Sequence, residues 1–251
     1  MLLDAIKEYE QIDIALTKAL SYVSLASDTK LDDDEAQKRK ASLFQRYSTI
    51  NGNELTFFGL ELADLPQEQL DEQMASTPEL SKYSAYIDEV RRSQPYNLSK
   101  EVERALTVRA PFAGKGKVVE FYGNELSRLR FEEKAGEEKV NMEVLLAKMT
   151  SSKDAATRYE CMKTLNAGLK EFERVAALSL NMVAGSWHVE NAERGFKNLR
   201  SQRNLGNNVP DEVVDSLLDA VKTTGVDYCK RYYALKKGIL KETQGLETFT
   251  W

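Results

Sequence analysis

The sequence predicts an all-α protein, a multi-helix array with one small β-hairpin near residues 128–142. Three observations carry that expectation. The 251 residues include only 5 Pro and 13 Gly, below the average of about 5% and 7%, so helix breakers are scarce. Apolar residues recur every three or four positions over long stretches, from Leu2 to Val23 and most strongly from Tyr159 to Trp187. The 42% hydrophobic and 30% charged content supplies both a core and a solvated surface, enough for one large or two modest domains.

The elements follow in order. Leu2, Ile6, Tyr9, Ile12, Leu16, Leu20 and Val23 form one apolar stripe, which breaks at Ser27-Asp28-Thr29. Asp32 stands three residues before Glu35, a capping arrangement for a second helix whose expected buried side is Leu43, Tyr47, Ile50 and Phe57. Asn51-Gly52-Asn53 interrupts it. Pro66 and Pro78 sit at first helical turns, where a missing N–H costs nothing, so helices are expected over 66–75 and 79–93. Pro95 separates these from helices over 99–109 and 115–127.

Between Arg128 and Met142 the period changes. Leu129 and Phe131 alternate with Arg130 and Glu132, Lys134-Ala135-Gly136-Glu137 reads as a turn, and Val140 and Met142 alternate again. A lone hairpin is marginal in water, so this one must lie against helices. The strongest helical period then runs from Tyr159 through Leu165, Leu169 and Phe172 to Trp187, after a Ser151/Asp154 capping pair. A last helix is expected from Pro210 to about Leu240, with Val214, Leu217, Val221, Tyr228, Leu235 and Ile239 as its buried stripe. The chain is thus expected to divide into a helical lobe over 1–127, the hairpin over 128–142 and long helices over 143–251. The final residues, Gly245 to Trp251, hold two large aromatics. Natural termini are polar and frayed, so this end suggests a polypeptide that continues.

A net charge of −5 and a pI near 5.3 leave no basic footprint for nucleic acid. No run approaches the roughly 20 apolar residues of a membrane span. The first residues are acidic and amphipathic, unlike a secretory leader. With two widely spaced cysteines, Cys161 and Cys229, the expected setting is cytoplasmic, with reduced thiols.

The chemistry-bearing residues are few. His188 is the single histidine. A zinc peptidase helix needs His-Glu-x-x-His, so that two imidazoles four apart share the metal and the Glu activates water; one histidine cannot build it. Cysteine nucleophiles need a base, and Cys161 would stand about 40 Å from His188 along one helix. Both thiols read as small buried hydrophobes. Ala113-Gly114-Lys115-Gly116-Lys117-Val118 lacks the Ser or Thr and the earlier Gly of a phosphate loop. No repeated Glu-x-x-His supports a di-iron bundle. Catalytic and metal residues are therefore expected to be none, and no cofactor is expected in this chain. In Arg231-Tyr232-Tyr233, adjacent tyrosines on a helix point about 100° apart, so one can pack while the other presents a hydroxyl.

The C-terminal half resembles oligoendopeptidase F, a zinc peptidase of the thimet-oligopeptidase group. The residues that carry the resemblance are the long helix from Tyr159 to Asn181, then Asn204-Leu205-Gly206-Asn207-Asn208-Val209-Pro210-Asp211-Glu212-Val213-Val214-Asp215, then Arg231-Tyr232-Tyr233-Ala234-Leu235-Lys236. Upstream, Asn97-Leu98-Ser99-Lys100-Glu101-Val102-Glu103 is similar to that family's helix start, and Leu129 to Met142 to its hairpin. The resemblance implies a mostly helical, clam-like metalloendopeptidase acting on short oligopeptides, with the present chain as its N-terminal channel wall. It places zinc and His-Glu-x-x-His further along than Trp251, makes 143–251 the approach to a truncated peptidase domain, and implies that this chain alone is inactive. It offers Asn204, Arg231 and Tyr232 as residues facing a peptide channel. The alternative is a free-standing helical module that binds a peptide or a partner helix in a groove.

Overall fold

The computed structural model describes residues 1–29, 33–132 and 138–245. The chain packs as two compact units, one of Met1–Ser127 with Arg174–Leu199 and one of Arg128–Glu173 with Arg200–Trp251. All-α is the observed class, and no sheet forms among the described residues.

In the first unit, α1 (Leu2–Asp28) packs beside α2 (Asp34–Ile50). Asp33 caps α2 by accepting from the Glu35 and Ala36 amides; Asp32, the expected cap, lies outside the described residues. Helix α2 passes through a π turn (Asn51–Leu55) into α3 (Thr56–Asp64), so Asn51-Gly52-Asn53 loosens the helical path rather than ending it. The Thr56 hydroxyl donates to the Asn51 carbonyl at 2.9 Å, beside the i→i+5 bond that the Thr56 amide makes to the same carbonyl in the π turn. Gly52 is required there: a Cβ would sit 2.7 Å from Val108 Cγ2 and 3.3 Å from the Arg104 carbonyl of α6 (Lys100–Ala113).

Helix α4 (Gln67–Ser76), a 3₁₀ stretch (Pro78–Tyr83) and α5 (Ser84–Ser93) follow, with Pro66 and Pro78 at their starts as expected. Leu3 and Ile6 of α1 close a core with Leu62, Leu70, Leu80 and Ile87. Full burial of each such side chain is worth about 1.5–3 kcal/mol. Beside this core Tyr9 stacks on Phe58 at 4.7 Å. Ser99 caps α6 through the Val102 amide, and Gly114 separates α6 from α7 (Lys115–Ser127). The stripe expected of α2 is only partly covered, since Ile50 and Phe57 remain exposed.

The second unit corrects the hairpin. In place of paired strands, Phe131 and Val140 form a single antiparallel bridge, each amide donating to the other's carbonyl at 2.8 Å. Met142 already opens α8 (Met142–Ser151), whose cap is Asn141 accepting from the Val144 amide. The expected turn at 134–137 lies outside the described residues. Apolar alternation over so short a span exposes the Phe131 side chain to a core but supplies too few ladder bonds to sustain strands. The Phe131 ring, 2% exposed, joins Leu145, Cys161 and Leu165 in the core of this unit.

Helix α9 (Ala155–Glu193) is capped by Asp154, which accepts from the Ala156 and Thr157 amides, while Ser151 belongs to α8. Residues 155–173 of α9 serve the second unit and 174–193 the first. The polar linker holds a short α10 (Ser201–Gly206). The last helix is α11 (Asp211–Ala220), a π turn (Val221–Gly225) and α12 (Val226–Gln244) in continuous succession. Its expected buried stripe is open: Leu217 is 62% exposed, Tyr228 71% and Leu235 64%. Periodicity shows that one side of a helix is apolar; it does not show that a neighbour covers it.

Candidate functional site

The three residues nominated by the sequence all lie in the second unit. Asn204 is buried, and its side-chain amide donates to Asp211 Oδ1 at 2.8 Å. The Ser201 hydroxyl donates to Asp211 Oδ2 at 2.6 Å, and Arg200 pairs with Asp215 at 2.6 Å. Asp211 is thus the hub that ties α10 to the start of α11, and Asn204 has a structural task within it. Arg231 and Tyr232 lie exposed on α12. The Tyr232 ring meets Tyr233 edge-on at 5.3 Å, and the Lys236 ammonium lies 5.9 Å from its centroid. No hydrogen bond or ion pair among the described residues joins Asn204 to either of them. Arg231 and Tyr232 together present a cation and a hydroxyl, groups that suit a peptide carbonyl or carboxylate.

The first unit holds a polar cluster that sequence reading did not find. Arg194, in the turn just after α9, grips Glu103 of α6 with two bonds, Nη1 to Oε1 at 2.5 Å and Nη2 to Oε2 at 3.0 Å. The same guanidinium donates to the Tyr96 carbonyl at 3.1 Å and lies 3.5 Å from Glu190. Glu190 also pairs with Lys115, whose ammonium lies 4.5 Å over the Trp187 ring. Phe196 stacks on Tyr96 at 3.9 Å. Burial alone would push the Glu103 carboxyl up, yet Arg194 and the Leu98 amide together hold it below its ordinary value. The bond to Glu103 pushes Arg194 up in turn. Two acids and two bases balance, so this is a clamp rather than a proton-transfer site. It places Lys115, from the Gly-Lys-Gly-Lys segment, in a structural role. Glu103 and Arg194 stand 91 positions apart, a pairing that no local spacing announces.

A groove of about 500 Å³ in the same unit is lined by Phe44, Ala110, Pro111 and Phe112 together with Lys38, Lys40 and Lys117. Each of those lysines is already paired, with Glu35, Asp28 and Glu120 respectively. His188 is exposed on α9 and Cys161 is buried in the second unit's core. Cys229 is exposed, which corrects the expectation of a buried thiol and follows from the open side of α12. No group of three His, Cys, Asp or Glu side chains able to hold a metal gathers among the described residues. Nor is any described helix long and apolar enough to cross a membrane.

The profile of the family described as Oligopeptidase F matches residues 61–131, from within α3 to Phe131. Group B oligopeptidase PepB from Streptococcus agalactiae serotype III (strain NEM316) is 21% identical over 242 residues, covering 93% of this chain and 39% of PepB. The crystal structure of oligoendopeptidase-F from Enterococcus faecium superposes with a TM-score of 0.79 at 21% identity, over 95% of this chain and 46% of that one. The chain is like the N-terminal portion of oligoendopeptidase F. It spans less than half the length of the oligoendopeptidase F-like proteins it matches. The matched stretch contains Glu103 and Lys115 of the clamp. The nominated residues Asn204, Arg231 and Tyr232 lie outside it.

Proposed function

We propose that this chain is the channel-wall portion of a zinc-dependent oligopeptidase that cleaves short peptides in the cytoplasm. One observation supports this above the others. Nearly all of the chain, 95%, superposes on somewhat under half of an oligoendopeptidase-F, so its fold corresponds to a part and not to a whole. The residues present do not fit a catalytic zinc, because His188 is alone and no ligand cluster gathers among the described residues. No hydrolytic step is assigned to any side chain of this chain. Zinc and its bound water belong to a further part of the protein, and the role here is to shape the route by which an extended peptide reaches them. In that role the stacked helices exclude folded proteins by size, while Arg231 and Tyr232 contact the peptide backbone or its terminal carboxylate. The domain organisation that goes with this reading is a helical lobe over 1–127 and a helical approach to the peptidase domain over 143–251.

Purification of the native polypeptide with antibodies to this chain tests the reading. The expected result is a species far heavier than the 28.4 kDa of these 251 residues, with chelator-sensitive cleavage of an internally quenched oligopeptide. The isolated chain should cleave none. A native species near 28.4 kDa without associated peptidase activity would overturn the proposal, as would zinc-dependent cleavage by the isolated chain.

A further inference from the structure

The groove of about 500 Å³ between α2 and the corner where α6 gives way to α7 has no part in the clamp. Its lining is of two kinds. Ala110, Pro111 and Phe112, at the end of α6, are apolar, and Phe112 is 65% exposed. On α2, Ser42, Gln45 and Ser48 follow at intervals of three and add polar side chains to the lining. Among the described residues none of these three makes a side-chain hydrogen bond. Ser42 and Gln45 are exposed, so water suffices for them. Ser48 is different, because it is only 8% exposed. A helical Ser or Thr can return its proton to the carbonyl four residues back, as the neighbouring Thr49 does to Gln45 at 2.9 Å. The Ser48 hydroxyl does not. A buried polar group without a partner is costly, and this one lines a groove.

Charge in the groove is uneven as well. Three bases line it, Lys38, Lys40 and Lys117, and one acid, Glu120. Glu35 and Asp28, the partners of Lys38 and Lys40, are not among the lining residues. The Lys38–Glu35 and Lys117–Glu120 pairs each form within one turn of a helix, where ion pairs are weakly held. A carboxylate in the groove can therefore draw an ammonium to itself. Lys38 and Ser48 stand about 15 Å apart along α2 at 1.5 Å per residue. About four or five extended residues cover that distance at roughly 3.3 Å each. An extended peptide also offers both kinds of surface, backbone carbonyls for the donors of α2 and side chains for the apolar wall.

From this arrangement we infer that the groove binds a short peptide with apolar side chains, its terminal carboxylate held by the groove lysines and a backbone carbonyl accepting from Ser48. A fatty acid would meet the lysines and the apolar wall but leave the Ser48 hydroxyl without an acceptor. All the groove residues belong to the first unit, whereas Arg231 and Tyr232 belong to the second, so this is a further peptide site. It needs neither zinc nor cleavage, and it holds whether or not the peptidase reading does.

Fluorescence polarisation of the full chain with an amino-terminally labelled pentapeptide of alternating leucine and alanine tests it. The peptide with a free carboxylate is expected to bind saturably, and more weakly as salt rises. Its carboxamide form should bind about tenfold more weakly, since a charged hydrogen bond is lost. Ser48→Ala should weaken binding about two- to tenfold, and Lys117→Met should reduce the preference for the free carboxylate. Gly116 also lines the groove, and a Cβ there would meet nothing within 4 Å. Gly116→Leu should therefore fold normally and obstruct the peptide, with circular dichroism as the check on each variant. Absence of saturable binding would overturn the inference, as would binding indifferent to both Ser48→Ala and Gly116→Leu. So would a groove that takes decanoate and not the peptide. None of these outcomes alters the mass or cleavage expected of the native polypeptide, so the two readings fail separately.

Discussion

Replacing Gly168 by Ala tests how Phe131 is seated. Gly168 lies inside α9, where Ala is ordinarily better than Gly by about 1 kcal/mol. At this position, however, a Cβ would lie 2.5 Å from Phe131 Cε1 and 2.6 Å from Cδ1. Carbon atoms in favourable contact stand about 3.5–4.0 Å apart, so the ring must retreat by about 1 Å. It has little room, because it is 2% exposed, packed with Leu145, Cys161 and Leu165, and anchored by the paired bonds to Val140. Overpacking of this kind costs about 1–3 kcal/mol. Gly185 provides the control, since it is on the same helix with nothing within 4 Å of its notional Cβ. Gly185→Ala should stabilise the chain by about 0.5–1 kcal/mol, and Gly168→Ala should lie about 1–3 kcal/mol below it. Urea titration followed by far-ultraviolet circular dichroism measures both. A Gly168→Ala chain as stabilised as Gly185→Ala would refute the seating of the ring. Combining Gly168→Ala with Phe131→Leu should give a loss smaller than the sum of the two, because the clash needs both groups.

Three further outcomes are expected. Glu103 is held below its ordinary value in the folded chain, so its contribution is complete above its unfolded value of about 4.3 and is lost as pH falls through the lower folded value. Acid titration of thermal stability should show this loss, and Glu103→Gln should flatten it while costing about 1–3 kcal/mol at neutral pH through the broken charged bonds to Arg194; an unchanged acid limb would discount the clamp. Asn141→Ala should remove the α8 cap at a cost of about 1 kcal/mol, and Asn141→Ser should retain most of it, as measured by urea midpoints. In dilute solution a thiol reagent should modify Cys229 in the folded chain and reach Cys161 only after denaturant is added; prompt modification of both would contradict the core around Leu145.

Much of the helical array is legible in the residues themselves. Pro66, Pro78 and Ser99 each stand where a helix begins, and Asn51-Gly52-Asn53 marks a real break in regularity, because these residues act on the backbone within one turn of themselves. Around Phe131 the structure differs from the expected hairpin, since alternation cannot distinguish a strand from one apolar residue plugging a core beside a helix start. Ser151 and Asp154 read as a capping pair for a related reason: either residue can cap, and the path of the chain between two helices places the cap at Asp154, three residues after Ser151. The clamp left no trace, because Arg194 reaches Glu103 across 91 positions and neither residue has a distinctive local setting. Of the nominated residues, Asn204 proved to be occupied with Asp211, whereas Arg231 and Tyr232 remain on an open face.

Composition and period determined that this chain is a set of long helices with a single histidine, because breaker frequency and residue counts are properties of the string alone. Which apolar faces are covered was decided by tertiary packing. Leu145 and Leu217 both sit on apolar helix faces, yet one is sealed under Phe131 and the other is open to solvent. The difference comes from the elements brought alongside, and that is a property of three-dimensional neighbours that sequence spacing along one helix does not contain.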